Sequence, residues 1–187
     1  MPKIDEAKIL IMSTHGFEQS ELMEPLNQLK AKGATVHVAS QDGAAIKGWN
    51  GDDWGDTVDA DLKISDVNVE DYIALVLPGG QINPDILRTD DTAVDTVRQF
   101  VAHDKIVAAI CHAPWLLIEA GVAEGREMTS YHSIRTDLKN AGAKVIDEEV
   151  AISNGIITSR SPADLNAFIS KIVEEVEEGE HARDTAA

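Results

Sequence analysis

Apolar positions in this chain fall into short continuous runs separated by stretches of helical spacing. Lys8-Ile9-Leu10-Ile11-Met12-Ser13 shows no alternation of polar and apolar residues, the pattern of a strand covered on both faces of a parallel sheet. Residues 18–32 carry Leu22, Leu26 and Leu29, spaced four and three apart as on one helical face, and Gly33 follows as a stop. A second strand is predicted at 35–40. From 41 to 72, Gly, Asp and Trp residues break every period, so irregular loops or short hairpins are expected there. Order returns with a strand at 73–77 that runs into Pro78-Gly79-Gly80, a turn where glycine backbone can approach a ligand. A helix is predicted over 91–103. The β-branched run 106–110 is a further strand, followed at once by Cys111 and then by a helical pattern over 114–120. A short extended piece at Met128-Thr129-Ser130, a helix near 132–140, strands at 144–146, 150–153 and 156–159, and a last helix over 163–177 complete the pattern.

Strands alternating with helices predict an α/β fold, an open and mostly parallel sheet with helices on both faces. No repeat or linker divides the chain, so residues 1–187 are expected to form one domain, with an acidic tail from about 179 that frays. Ligands of such sheets bind at the carboxyl ends of the strands. Three groups are placed there: His15-Gly16-Phe17-Glu18, Pro78-Gly79-Gly80 and Cys111-His112.

Composition narrows the partners. With 16 Lys and Arg against 33 Asp and Glu, the net charge of -17 argues against nucleic acid and against anionic membrane surfaces, which both require clustered cations. No apolar run is long enough to cross a bilayer, and the first residues lack a signal peptide's apolar stretch, so a cytoplasmic location is expected. A single cysteine excludes an intrachain disulfide and a thiolate zinc cage. If Cys111 matters, it acts as a lone thiol.

Single cysteines are most often small core residues. Here, however, polar His112 follows the apolar strand directly, and the order strand, sharp turn, helix places Cys111 where helix amides stabilise a thiolate or an oxyanion. A thiol pKa below the usual value is therefore expected.

Ala109-Ile110-Cys111-His112-Ala113-Pro114 resembles the nucleophile-elbow motif of the ThiJ/PfpI superfamily. Gly16-Phe17-Glu18 resembles the family's acid-bearing loop, Leu77-Pro78-Gly79-Gly80 its glycine turn, and Thr158-Ser159-Arg160-Ser161-Pro162 with Asp164-Leu165 its C-terminal motif. The resemblance runs over about residues 7 to 176 and is nearest to the PfpI-type intracellular protease and stress-protein branch. It implies a flavodoxin-like sheet, a homo-oligomer, no cofactor and no metal, and a site made of Cys111, His112 and Glu18, with Gly79, Gly80 and His112 around the reacting oxygen. It also implies that Glu18 is protonated or shares a proton with the thiol. By motif, Asp85 takes the place of an acid given to a neighbouring subunit, although Ile82-Asn83 lengthens the turn before it.

Outside the motifs, His132 is a candidate general base, though a surface position at a helix start is the commoner use of such a histidine. His15 reads as a loop residue. Trp49, Trp54 and Trp115 suit core or interface packing. The leading functional expectation is a stress-protective, cysteine-dependent enzyme acting on a small reactive carbonyl of methylglyoxal type or on early glycation adducts. An intracellular peptidase is the second. A redox-sensing or chaperone-like stress protein is the non-enzymatic alternative, and glutamine amidotransfer is disfavoured because it needs a separate downstream histidine and a synthase partner. For the peptidase, a histidine next to its nucleophile reaches it only with an unusual backbone.

Overall fold

The computed structural model of the chain describes residues 3–178, so the acidic tail expected to fray lies outside the described residues. In chain order it contains β1 (Lys8–Met12), α1 (Gln19–Ala31), β2 (Thr35–Ser40), β3 (Ile46–Asn50), β4 (Asp53–Val58) and β5 (Leu62–Lys63). Then come β6 (Ala74–Leu77), α2 (Ile82–Leu87), α3 (Asp91–Ala102), β7 (Ile106–Ile110), α4 (Pro114–Glu119) and β8 (Glu127–Met128). The rest is α5 (Arg135–Asn140), β9 (Lys144–Val145), β10 (Val150–Ser153), β11 (Ile156–Ser159) and α6 (Leu165–Glu178).

Seven strands form the main sheet in the order β10-β11-β7-β6-β1-β2-β5. All pairs are parallel except β10 with β11. The unalternating strands are explained by their cover. Side chains alternate between faces along a strand, so Ile9 and Ile11 enter one core with Leu22, Leu29, Phe168 and Ile172 of α1 and α6. Leu10 and Met12 enter the other with Val97 and Phe100 of α3 and Leu116 of α4. Every residue of β6 and β7 is buried. Each large side chain so buried contributes roughly 1.5–3 kcal/mol by removal from water.

Three places depart from the periodic pattern. The 41–72 stretch contains a hairpin, β3 with β4, whose Trp49 and Trp54 meet edge to face at 5.5 Å. The hairpin lies across the start of α1: Trp49 N–H donates to the Phe17 carbonyl at 2.7 Å and Gly16 N–H to that of Lys47 at 2.8 Å. Residues 132–140 begin as a 3-10 turn, His132–Ile134, before α5. Finally, α2 occupies a place where only a turn was expected. Its six residues are too few to show a period, and Pro84 is tolerated because first-turn amides lack helical partners. Among the described residues no helix is long and apolar enough to cross a membrane.

Candidate active site

At the carboxyl end of β7, Cys111 has φ +65°, a left-handed conformation that a residue with a side chain keeps only when its surroundings hold it. Both of its peptide groups are held: its N–H donates to the Ser159 carbonyl at 3.0 Å, and its carbonyl accepts from the Tyr131 N–H at 2.9 Å. The thiol lies at the floor of a pocket of about 430 Å3 that is walled by Trp49, Tyr131, Ile82 and Pro162.

The carboxyl against this thiol belongs to Glu21. Its side chain is wholly buried, its Oε2 accepts from the Gly79 N–H at 2.9 Å, and it lies in hydrogen-bonding range of the Cys111 thiol. Among the described residues Oε1 has no hydrogen-bond partner. Burial, then the nearby charge of Glu18, pushes the Glu21 carboxyl up to about 8, so it carries a proton at neutral pH. Glu18, which the motif nominated for this position, caps α1 one turn earlier. It is partly exposed, lines the same pocket, and its Oε1 accepts from the Ser20 hydroxyl at 3.3 Å.

The glycine turn is fitted to this acid. A Cβ on Gly79 would stand 2.5 Å from Glu21 Oε2 and 2.7 Å from Cys111 Cβ, and one on Gly80, at φ +82°, would stand 2.6 Å from the Glu18 nitrogen. The turn is fastened by Asn83, whose side chain is fully buried on α2. Asn83 Oδ1 accepts from the Thr14 N–H at 2.8 Å, and Nδ2 donates to the Pro78 and Gly79 carbonyls at 2.8 and 3.3 Å. One amide thus ties the loop after β1 to the loop after β6.

The expectation of a lowered thiol pKa is corrected by this arrangement. Burial raises the Cys111 thiol, and negative charge on Glu21 raises it further, while the Gly80 and His112 amides act in the other direction. Helix amides offset burial only partly, since α4 has six residues and the sulfur is nearly out of water. The thiol and the Glu21 carboxyl therefore titrate as one coupled pair.

His112 reaches the sulfur because of the left-handed turn at Cys111. Nδ1 is 3.1 Å from Sγ, and Nε2 is 3.1 Å from the Ser133 hydroxyl oxygen. The ring stacks on Tyr131 at 4.7 Å and meets Trp115 edge-on at 5.3 Å. Burial, then the neighbouring His132, lowers its pKa, so the imidazole is neutral at physiological pH. A weak base and a neutral acid thus flank one sulfur.

Residues 7–175 match the family model described as the DJ-1/PfpI family. The chain belongs to that family. It is 42% identical over 166 residues to deglycase PfpI of Pyrococcus furiosus, covering 89% of this chain and 97% of that protein. To the putative cysteine protease YraA of Bacillus subtilis it is 41% identical over 162 residues, covering 86% and 93%. The crystal structure of Drosophila melanogaster DJ-1beta superposes with a TM-score of 0.83 at 30% identity, covering 95% of each chain. The open, mostly parallel sheet of this DJ-1/PfpI chain is thereby the flavodoxin-like architecture that the motifs implied.

Within the DJ-1/PfpI framework, the remaining candidates divide clearly. Asp85 is exposed on α2, beside the exposed Ile82 and Ile86. His132 is exposed and packs on Tyr131 at 4.3 Å, and the His15 ring nitrogen accepts from the Lys47 N–H at 3.1 Å, pinning the hairpin. Trp49 walls the pocket; Trp115 bonds Asp137 through Nε1 at 2.9 Å and lies under the Arg88 guanidinium. Glu174, Glu175 and Glu178 of α6 are close enough together to share a cation, but such acidic groups are common on surfaces without one. Sequence reasoning missed Glu21, Asn83 and Ser133. For Glu21 a signal existed: helical phase puts it one turn before buried Pro25, on the flank of the Leu22–Leu26–Leu29 stripe, where a carboxylate has no reason to be unless it is used.

Proposed function

We propose that this chain is a cofactor-free, cysteine-dependent enzyme that converts small reactive carbonyls, or the early adducts they form on amines, to hydroxy acids. The observation that carries the reading is the wholly buried Glu21 carboxyl, protonated at neutral pH, against the Cys111 thiol at the floor of a pocket large enough for a small carbonyl. With methylglyoxal, Sγ bonds to the aldehyde carbon as the thiol proton passes to His112 Nδ1. Glu21 gives its proton to the carbonyl oxygen, and a hemithioacetal results. The Glu21 carboxylate then takes the proton from the sulfur-bearing carbon and returns it to the neighbouring carbon, while the hydroxyl hydrogen passes to the former ketone oxygen, which leaves the thioester of lactate. Water adds to the thioester and the thiolate departs, so methylglyoxal and water become lactate and a proton. On an aminocarbinol adduct the sulfur displaces the amine: the C–S bond forms as the C–N bond breaks, the Glu21 proton goes to the departing nitrogen, and the same hemithioacetal results. Such a role is stress-protective, and the family relative that carries the name deglycase supports it.

A peptidase is the second reading, favoured by the 3.1 Å approach of His112 Nδ1 to Sγ and by the relative called a putative cysteine protease. The buried acid weighs against it, since amide cleavage has no need of a neutral carboxyl against the nucleophile. We further infer a cytoplasmic enzyme that associates with itself, α2 and its exposed Ile82 and Ile86 offering the contact face. The deciding experiment offers methylglyoxal, glyoxal, a glycated peptide, casein and glutamine to the wild type and to Cys111→Ser. Lactate formation that disappears in the variant is expected; casein cleavage without dicarbonyl turnover overturns the reading in favour of the peptidase.

A further inference from the structure

We propose that Ser133 completes the cysteine–histidine pair from within the same chain, as the positioning residue that keeps His112 Nδ1 free to receive the Cys111 proton. The proposal rests on the reading of Cys111 as a nucleophile and adds to it a residue that no motif nominated. Four contacts define the His112 ring. Tyr131 stacks on one face with 26° between the planes, Trp115 meets it at 65°, and together they fix the plane in which the ring lies. They leave open which nitrogen bears the proton. That choice falls to the two in-plane contacts, Sγ at Nδ1 and the Ser133 hydroxyl oxygen at Nε2, each at 3.1 Å.

A neutral imidazole has one N–H and one bare nitrogen, and the partner of one nitrogen sets the state of the other. When Ser133 Oγ accepts from Nε2–H, Nδ1 is bare and faces the thiol. As the S–H bond breaks and the Nδ1–H bond forms, the ring becomes an imidazolium with two donors, and Oγ accepts from Nε2–H as before. The same oxygen therefore serves the ring before and after the transfer, and its hydroxyl hydrogen turns away. A serine that donated to Nε2 would instead put the proton on Nδ1, which would then donate to the sulfur and leave no bare nitrogen there to take the thiol proton. Around His112 the other titratable groups are Cys111 with Glu21 behind it, and Tyr131 and His132 on the loop side; none of these is hydrogen-bonded to Nε2. A neutral hydroxyl also steadies an imidazolium less than a carboxylate does, which suits a thiol that must add to a carbonyl and be released again. Asp85, exposed on α2, is then not required for this role.

The test uses Ser133→Ala, Ser133→Thr and Asp85→Asn in the full chain, read by long-range proton–nitrogen correlation of His112 and by the pH profile of Cys111 alkylation with iodoacetamide. Ser133 lies at the surface in a 3-10 turn, so circular dichroism should be unchanged. In the wild type Nε2 is expected to carry the proton and Nδ1 to be bare. Ser133→Ala should lose this fixed pattern, move the alkylation profile to higher pH and slow the reaction at pH 7 about fivefold, the factor for one net hydrogen bond. Ser133→Thr, which keeps the hydroxyl, should return to within about twofold of wild type, as should Asp85→Asn. An unchanged nitrogen pattern and profile in Ser133→Ala, or a wild-type proton on Nδ1, or a loss found only in Asp85→Asn, overturns the proposal. Neither readout uses a dicarbonyl, so a wild type that turns over no methylglyoxal overturns the carbonyl reading alone.

Discussion

Glu18 and Glu21 lie one turn apart at the start of α1 and face the same pocket, yet their surroundings differ in almost every physical respect. Glu21 belongs to the floor: no part of it is exposed, Gly79 donates to it, and Gly79 has no room for a side chain because Glu21 and Cys111 fill the space. Glu18 belongs to the rim, partly exposed, with a nearby serine as its bond partner and a tryptophan hairpin passing beside it. Desolvation makes the floor acid neutral and so able to give a proton; the rim acid keeps water and contributes its charge. Position along the sheet edge is therefore not enough to make a carboxylate an acid catalyst.

The largest effect should come from Glu21→Gln. The amide keeps the acceptor for the Gly79 N–H but cannot deliver a proton, and methylglyoxal turnover should fall by at least about a hundredfold, the usual worth of a positioned acid. The same variant should change how stability depends on pH. The folded-state pKa of Glu21 is raised from an ordinary 4.5 to about 8, so between these values the folded protein binds a proton that the unfolded chain releases. Stability contributed by this group is then full below about pH 4.5 and is lost as pH rises towards 8, by up to about 1.4 kcal/mol per pH unit for one proton. Urea unfolding at pH 5.5, 6.5 and 7.5 should show the wild type losing stability relative to Glu21→Gln; parallel curves would place Glu21 in water and remove the floor from the comparison.

Next in size is Gly79→Ala. Its Cβ would be 2.5 Å from Glu21 Oε2 and 2.7 Å from the Ile110 carbonyl, neither of which can retreat into open space. A loss of about 2–3 kcal/mol in unfolding free energy is expected, together with loss of turnover. Gly51, at the rim, has open space around the position of a Cβ, though its φ of +68° still strains any replacement. An alanine at 79 as mild as one at 51 would mean that the floor is looser than its distances imply.

Asn83→Asp separates the two halves of the clamp. The carboxylate still accepts from the Thr14 N–H, but the donor to the Pro78 and Gly79 carbonyls is gone and an oxygen faces them instead. About 1–3 kcal/mol of stability should be lost, the cost of buried acceptors left unpaired. Thermal unfolding measures it, and a neutral substitution would show that the glycine turn holds its shape without α2.

The legibility of the chain follows the same division. Strands covered on both faces, such as β1, β6 and β7, announce themselves because nothing polar is tolerated at their buried positions, and β2, β7, β10 and β11 end where their patterns end. The elbow is legible too, since an apolar strand that stops at Cys111-His112 and gives way at once to a helical pattern leaves room only for a sharp turn. The hairpin and α2 leave no period, because each is held by contacts distant in sequence: Gln19 to Asp56 in one case, Asn83 to Thr14 in the other. Motif reasoning stops at Glu18, one turn short of Glu21, because a motif aligns residues and not the phase of the helix that carries them. The direction of the thiol pKa is hidden for a similar reason, as the amides at the elbow are local and visible in sequence whereas the burying carboxyl is not.

The smallest effect, and the most direct test of the division, is expected from Glu18→Gln. The motif makes Glu18 the acid that shares a proton with the thiol, and on that view the variant is inactive. The structure puts another carboxyl there and leaves Glu18 with the Ser20 hydroxyl at 3.3 Å, in contact with water. A group so placed acts on Cys111 through its charge on Glu21, which helps to keep Glu21 protonated. Removing the charge should lower the Glu21 pKa somewhat, so the upper limb of the rate profile should move to lower pH. At pH 6, where Glu21 is protonated with or without its neighbour, methylglyoxal turnover should stay within about threefold of wild type, the scale of a screened charge at a wet site. Steady-state rates across pH 5.5–9 separate the outcomes. A small change confined to alkaline pH keeps Glu18 at the rim; a hundredfold loss at every pH would make it the proton donor and reduce Glu21 to a buried support for the glycine turn.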